Sequence, residues 1–288
     1  MSRAAYDNQL HIQDAFDFDK NACHSYGLNF SNARIHCLWA HEFVNLPHDC
    51  KVDIAHLSPP CKFFSDAHTK AGKDDEMNTA SWTALGELLM KSKPQVVTLE
   101  QTYGILRARH EGYLNALIQV FTSHGFSIRW HLLNCADYGL PQMRLRLFMI
   151  ASCPGEPLPP FPPPTHSSSP ATTGLLPWTT ISTALTTIPA NASHHDPHLS
   201  TIRAVPPQSG DQLARTITCG GGGQVHLSGT RDYTNREFAT LNGFGPEHEF
   251  GRKGAKKQIG NAVPPIVGAG VLGSVVDALK KEHGISGE

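Results

Sequence analysis

Along residues 1–154, short apolar runs alternate with segments whose apolar residues recur every three or four positions, the mark of strands alternating with helices. Ile12–Phe18 reads as a strand, followed by a helix over Lys20–Gly27. Val52–Leu57 is a second strand, and Trp82, Leu85, Leu88 and Leu89 then share one face of a helix predicted over Met77–Lys91. Gln95–Leu99 is short, apolar and β-branched, and it ends at Glu100. A helix over Glu111–Ser123 follows, with Leu114, Leu117, Ile118 and Phe121 on one side. Phe126–Leu133 and Leu145–Ala151 are predicted as two further strands. The alternation predicts βαβ units and a mainly parallel sheet, an α/β architecture.

At Cys153 the pattern stops. The stretch CPGEPLPPFPPPTHSSSPATTG is dense in Pro, Ser and Thr and cannot continue a sheet. It is read as a crossover into a second unit, 155–250, with weaker periodicity, a glycine run at Gly220–Gly223 and one clear helix near Asn235–Leu241. Ile259–Lys281 closes the chain as a helix broken early by Pro264-Pro265, its apolar positions suited to packing back on the first domain. The expected division is thus 1–154, 155–250 and 251–288.

Composition narrows the picture. A chain of 288 residues with 40% apolar and 17% charged residues can bury one substantial core and a smaller second one. Net charge is −1, with 17 histidines, so no global basic signature marks a nucleic-acid partner; the strongest local run is Arg252–Lys257. Seven cysteines, an odd number without a CxxC pair, argue against a disulfide framework or a structural zinc site and for a reducing compartment. No metal is expected. No apolar run approaches a membrane span, and MSRAAYDNQLH lacks the apolar core of a signal peptide, so a mature intracellular protein without membrane contact is expected.

The residues that could carry chemistry follow strand-like segments. Cys61 lies in LSPPCKFFS, where prolines stiffen the turn after Val52–Leu57. Glu100 ends the next strand, and Arg144 and Arg146 flank the start of another. Adjacent strand ends bring such groups to one rim. A thiolate, an acid and a guanidinium together suit attack on a planar, electron-poor ring. Singly, each has a plainer reading: a buried inert thiol, a surface carboxylate, a solvated pair on a strand edge.

Order and spacing remove that ambiguity. SPPCKFFS resembles the proline-cysteine motif of C5-cytosine DNA methyltransferases, and KPQVVTLEQTYG follows at the family's distance, with Glu100-Gln101-Thr102 where the family usually reads Glu-Asn-Val. LNCADYGLPQMRLRLFMIA is similar to its Gln-x-Arg-x-Arg block, RDYTNREFATLNGFGPEHEF to the end of its target-recognition region, and QIGNAVPP to its last motif. The motifs run in family order over residues 57–265. The Glu-Gln-Thr variant and the short recognition region look most like the fungal branch.

The resemblance implies a Rossmann-like sheet that binds S-adenosylmethionine, incomplete at the N-terminus, with a small target-recognition domain. Cys61 would attack C6 of a cytosine flipped out of double-stranded DNA, with Pro60 shaping its loop beside the cofactor. Glu100 would protonate or hydrogen-bond N3 and the exocyclic amine; Arg146 would hold the O2 side; Arg144 would support the covalent intermediate or its phosphate. DAFDFDKNACHSYGLNF resembles the family's second motif, which gives Asp17 the ribose hydroxyls and Phe18 the adenine, with Asn261 and Val263 lining the methionine side. Ser65, Lys62 and Gln142 are assigned to DNA; Lys62 stands where the family commonly has glutamine. A nuclear enzyme of epigenetic silencing is implied, with chromatin recruitment factors as candidate partners and RKGAKK as a weak import signal.

Departures from the pattern define the alternatives. The glycine-rich first motif belongs about twenty residues before Asp17, yet residues 1–16 contain no glycine, so the chain is expected to begin after it. The Asp that usually contacts adenine is not evident in RIHCLWAHEF. An active methyltransferase and a catalytically impaired DNA-binding relative that cannot hold the cofactor therefore both stand. The tRNA-methylating branch, with its Glu-Asn-Val and Cys-Phe-Thr signatures, ranks last.

Overall fold

The computed structural model describes residues 1–60, 75–198 and 206–285, the side chains of 75–83 and 222 aside. Its centre is a four-stranded sheet of order β3-β4-β6-β5, built from Ile54–Leu57, Val96–Thr102, Leu145–Ser152 and Ser127–Asn134. A parallel pair, β1 (Asp14–Phe16) and β2 (Arg34–His36), forms a separate ribbon. The strands β1, β3, β4, β5 and β6 match predicted runs, with β1 shorter than expected, so that Asp17 and Phe18 lie past its end. Periodicity assigned no element to β2 or to α3 (Ala40–Val44), both short and rich in polar residues.

The sheet is mixed, not mainly parallel. β3 runs parallel to β4, but β6 is antiparallel to both β4 and β5. The cause is chain length: only the short connector 135–144 joins β5 to β6, and a parallel return needs a longer crossover. β6 therefore folds back directly beside β5 and inserts between it and β4.

β4 and β6 are apolar at nearly every position because both faces are covered. Val97, Leu99, Leu147, Met149 and Ala151 face one core with Leu85, Leu88 and Leu89 of α4 (Asp75–Ser92) and Leu117 and Phe121 of α5 (Glu111–Ser123). Val96, Phe148 and Ile150 face a second core filled by Val267, Val271, Val275 and Leu279 of α10 (Pro265–Glu282). Helix α1 (Ser2–Asp7) lies against α10, and α2 (Lys20–Asn29) follows β1.

Beyond β6 regular structure is sparse. β7 (His166–Ser167), α6 (Pro170–Thr173), β8 (Leu176–Pro177) and α7 (Ile181–Leu185) precede α8 (Asn235–Leu241) and α9 (Ala255–Asn261). Helix α8 starts with a capping box: Thr234 Oγ1 accepts from Glu237 N at 3.1 Å, and a Glu237 oxygen accepts from Thr234 N at 2.7 Å. A third core gathers Ile181, Ile217, Tyr233, Phe238, Leu241, Phe250, Ala255 and Ile259. The closing segment is thereby shared. α9 belongs to this third core, and α10 returns to the sheet. Pro264 and Pro265 part the two helices by removing consecutive amide donors, leaving a bend of 42°. Among the described residues no single helix is long and apolar enough to cross a membrane.

Candidate active site

Side chains alternate across a strand, so Glu100 points to the same side of the sheet as Val96, toward α10. On β6 the same alternation sends Arg146 to that side with Phe148, and the register sets Arg146 opposite Thr102. The two meet: Arg146 Nε is 3.0 Å from Glu100 Oε1, and both side chains are buried. An ion pair this enclosed is strong only because the second group is present; either charge alone there would be costly.

β3 delivers the proline turn to this pair. Leu57 lies opposite Leu99, which carries Ser58, Pro59 and Pro60 alongside the end of β4. The turn is tied there by Gln101, fully buried, whose Nε2 donates to the Pro59 carbonyl at 3.3 Å and whose Oε1 accepts from Thr102 N at 2.8 Å. His56 adds a second tie, with Nδ1 2.9 Å from Thr98 Oγ1 and Nε2 2.7 Å from Ser58 Oγ. Burial pushes the His56 imidazole well below its ordinary pKa, so it works as a neutral hydrogen-bonding link. From sequence, Gln101 stands out only as a departure from the family's Glu-Asn-Val, and His56 does not stand out. The available signal was position: one directly follows Glu100 and the other shortly precedes the prolines. Cys61, Lys62 and Ser65 lie outside the described residues.

The two arginines divide their labour. Arg144 is buried, and its guanidinium donates to the carbonyls of Ile217 at 3.2 Å, Gly260 at 3.2 Å and Ala262 at 2.9 Å. It braces the sheet against the third core and the α9–α10 junction. Gly260 is required at that junction: a Cβ there would stand 2.4 Å from the Thr218 carbonyl carbon. Gln142, expected on DNA, has no exposed surface. Its Nε2 donates to Leu241 O at 3.1 Å and Asn242 Oδ1 at 3.0 Å, and its Oε1 accepts from Ile217 N at 2.9 Å. Its amide is spent inside the protein, so the DNA contact is corrected to a structural role.

The cofactor residues sit at a second rim, past the end of β1. Asp17 is exposed, and its Oδ1 accepts from Asp19 N at 2.8 Å. Phe18 is 46% exposed and stacks on Trp39 with centroids 4.0 Å apart and planes within 2°. Lys257 of α9 pairs with Asp19 at 2.6 Å, which raises the lysine pKa and docks α9 beside α2. Asn261 is exposed and accepts from Cys219 Sγ at 2.7 Å, whereas Val263 is buried in the core under α10. An exposed carboxylate beside an open aromatic face fits ribose hydroxyls and a purine, so the residues present suit the adenosyl end of S-adenosylmethionine. Trp39 is the aromatic partner that sequence reading missed.

A mixed α/β sheet with a buried acid–arginine pair beside a proline turn, and an aromatic-acidic rim at a neighbouring strand end, is the frame of a nucleotide-cofactor transferase. Comparison supplies the family. The profile of the C-5 cytosine-specific DNA methylases matches residues 5–204. The chain is 26% identical over 292 residues to the type II methyltransferase M.NgoFVII of Neisseria gonorrhoeae, covering 87% of this chain and 76% of that protein. It is 29% identical over 258 residues to M.NgoMIV of the same organism, covering 81% and 80%. In fold it is similar to a prophage-encoded DNA modification methyltransferase of E. coli, with TM-score 0.73, 17% identity and coverage of 97% and 96%. It is also similar to the Dnmt2 methyltransferase of S. pombe, with TM-score 0.66, 14% identity and coverage of 98% and 94%. The chain belongs to the C-5 cytosine-specific DNA methylases, enzymes whose methyl donor is S-adenosylmethionine.

Proposed function

We propose that this chain methylates C5 of a cytosine flipped out of double-stranded DNA, through a covalent bond between Cys61 Sγ and C6. The observation that carries the reading is the buried Glu100–Arg146 pair at 3.0 Å, held against the tethered Pro59–Pro60 turn. Arg146 holds the Glu100 carboxyl in place and offers remaining donors to the ring's O2. Glu100, having taken a proton from solvent, donates it to N3 while its other oxygen accepts from the exocyclic amine, which draws electron density from C6 as the Cys61 thiolate adds there. Bound S-adenosylmethionine supplies the methyl group. Loss of the C5 proton to a base, and expulsion of the thiolate from C6, then restore the aromatic ring and the free enzyme. Flipping costs a few kcal/mol, which Lys62 and Ser65 offset through phosphate contacts.

A second reading keeps DNA binding without turnover. Its support is the gap in pairing between β1 and β3: the rim bearing Asp17 and the strand bearing the proline turn are not joined in one sheet. One experiment separates the two. DNA containing 5-fluorocytosine, which cannot release its C5 substituent, is incubated with labelled S-adenosylmethionine. Methyl transfer predicts a labelled, denaturant-stable adduct that Cys61→Ala abolishes; DNA retention with neither adduct nor label leaves only the binding reading.

A nuclear location, a place in the fungal branch, a role in silencing and recruitment by chromatin factors belong to the same proposal. Their support is the Glu100-Gln101-Thr102 variant and the exposed Arg252 and Lys253. A fluorescently tagged chain that stays outside the nucleus would count against the location.

A further inference from the structure

Away from this site, the Asp14 carboxylate at the start of β1 gathers groups from two other segments. Arg34 of β2 binds it twice, with Nε 3.0 Å from Oδ1 and Nη2 2.7 Å from Oδ2. His36, also of β2, sets Nε2 at 2.9 Å from Oδ1. His48, from the connector after α3, sets its own Nε2 at 3.4 Å from the same oxygen. That nitrogen is buried and has no hydrogen-bond partner among the described residues. The two imidazoles stack with centroids 5.0 Å apart and planes 16° apart, and the three ligand atoms lie within 4.8 Å of one another.

We propose that Asp14, His36 and His48 form a structural site for a borderline divalent metal of the Zn²⁺ class, with solvent in the fourth position. Two imidazole nitrogens and one carboxylate oxygen are a donor set for zinc-like ions, not for Mg²⁺ or Ca²⁺, which take mainly oxygen. Ligands at about 2.0–2.2 Å from a tetrahedral ion stand about 3.3–3.5 Å from one another. The two imidazole nitrogens stand 2.9 and 3.4 Å from the Asp14 oxygen and within 4.8 Å of each other, so an ion enters once the stacked rings rotate to aim both nitrogens at it. Arg34 has a half-exposed side chain, so its Nε can leave Oδ1 while Nη2 stays on Oδ2, the outer hydrogen bond that ligating carboxylates usually receive.

The site has a structural task. β1 and β2 form a two-stranded ribbon that joins the first core through Phe16, stacked on Phe43, and a two-stranded pair is marginal on its own hydrogen bonds. An ion held by Asp14, His36 and His48 ties both strands to the connector that leads into β3. Asp14 opens β1, whereas Asp17 and Phe18 follow its end, so the ion is held by residues distinct from those expected at the cofactor.

The test uses the full chain, stripped with a chelator and titrated with Co²⁺ at pH 7.5. Saturation at one equivalent with visible absorption bands of a low-coordinate Co²⁺ site, displacement by Zn²⁺ and a raised melting temperature are expected. His48→Gln removes a partly exposed ligand without opening the core, and should weaken binding by more than the roughly 10–100-fold typical of losing an outer partner. Asp14→Asn should do the same. Failure of the wild-type chain to bind saturably, or binding that survives both substitutions, overturns the site.

Discussion

The β4–β6 pair, of seven and eight residues, is sealed, whereas the three-residue strands of the β1–β2 ribbon are open. All but the last residue of β4 and all but the first of β6 are buried, with helices on both faces. No residue of β1 or β2 is fully buried, and Asp14, Arg34 and His36 spend their side chains on one another. In the sealed pair, apolar packing sets the geometry and the buried ions Glu100 and Arg146 are positioned by it. In the ribbon, Phe16 packs on the first core, and polar contacts hold Asp14, Arg34 and His36. On the proposed reading, the reacting groups stand on the sealed strands, and the cofactor and ion contacts on the open ones.

The largest effects are expected at the sealed site. Glu100→Gln keeps shape but removes the charge facing Arg146, and should slow formation of the 5-fluorocytosine adduct by about 10²–10⁴-fold, measured by single-turnover trapping. Arg144→Ala should cost about 3–5 kcal/mol in urea unfolding, since it strips a buried cation from three carbonyls. Phe148→Ala, fully buried on β6, should cost about 3–5 kcal/mol. The matched change in the ribbon, Ile35→Ala, should cost below about 1.5 kcal/mol because Ile35 is only half-buried. Equal losses in the last two would erase the distinction drawn here.

The most gradual effect is on pH. His248, packed among Phe30, Phe244 and Phe250, has its pKa lowered to about 3 by burial, and His56 is lowered in the same direction. Both stay neutral in the folded protein while the unfolded chain takes up protons near pH 6.5. Their stabilisation is therefore complete above about pH 6.5 and is lost progressively as pH falls toward 3. Melting temperatures across that range should decline, and His248→Phe should flatten the decline. An unchanged slope would remove His248 as its cause.

Much of the frame was legible because apolar periodicity reports burial. The β4 and β6 strands and helices α4, α5 and α8 fall on their predicted runs, since each buries a continuous face. Arg144 and Gln142 show the limit. Their motif predicts residue types in order, but the division between a brace, a buried amide and a site-facing guanidinium depends on which strand face meets the third core. The roles of His56 and Gln101 were hidden for the same reason. A hydrogen bond to Pro59 or Ser58 has no signature in spacing.

The sequence by itself determined the family, the order of Cys61, Glu100, Arg144 and Arg146, and the break in pattern after Cys153, because motifs and composition are local properties of a chain. Only the tertiary structure decided that β6 runs antiparallel between β4 and β5, that Glu100 pairs with Arg146 and not Arg144, and that Asp14, His36 and His48 converge. Those outcomes rest on contacts between residues far apart in the chain. They are set by connector length, strand register and the covering of both sheet faces, which no local pattern encodes.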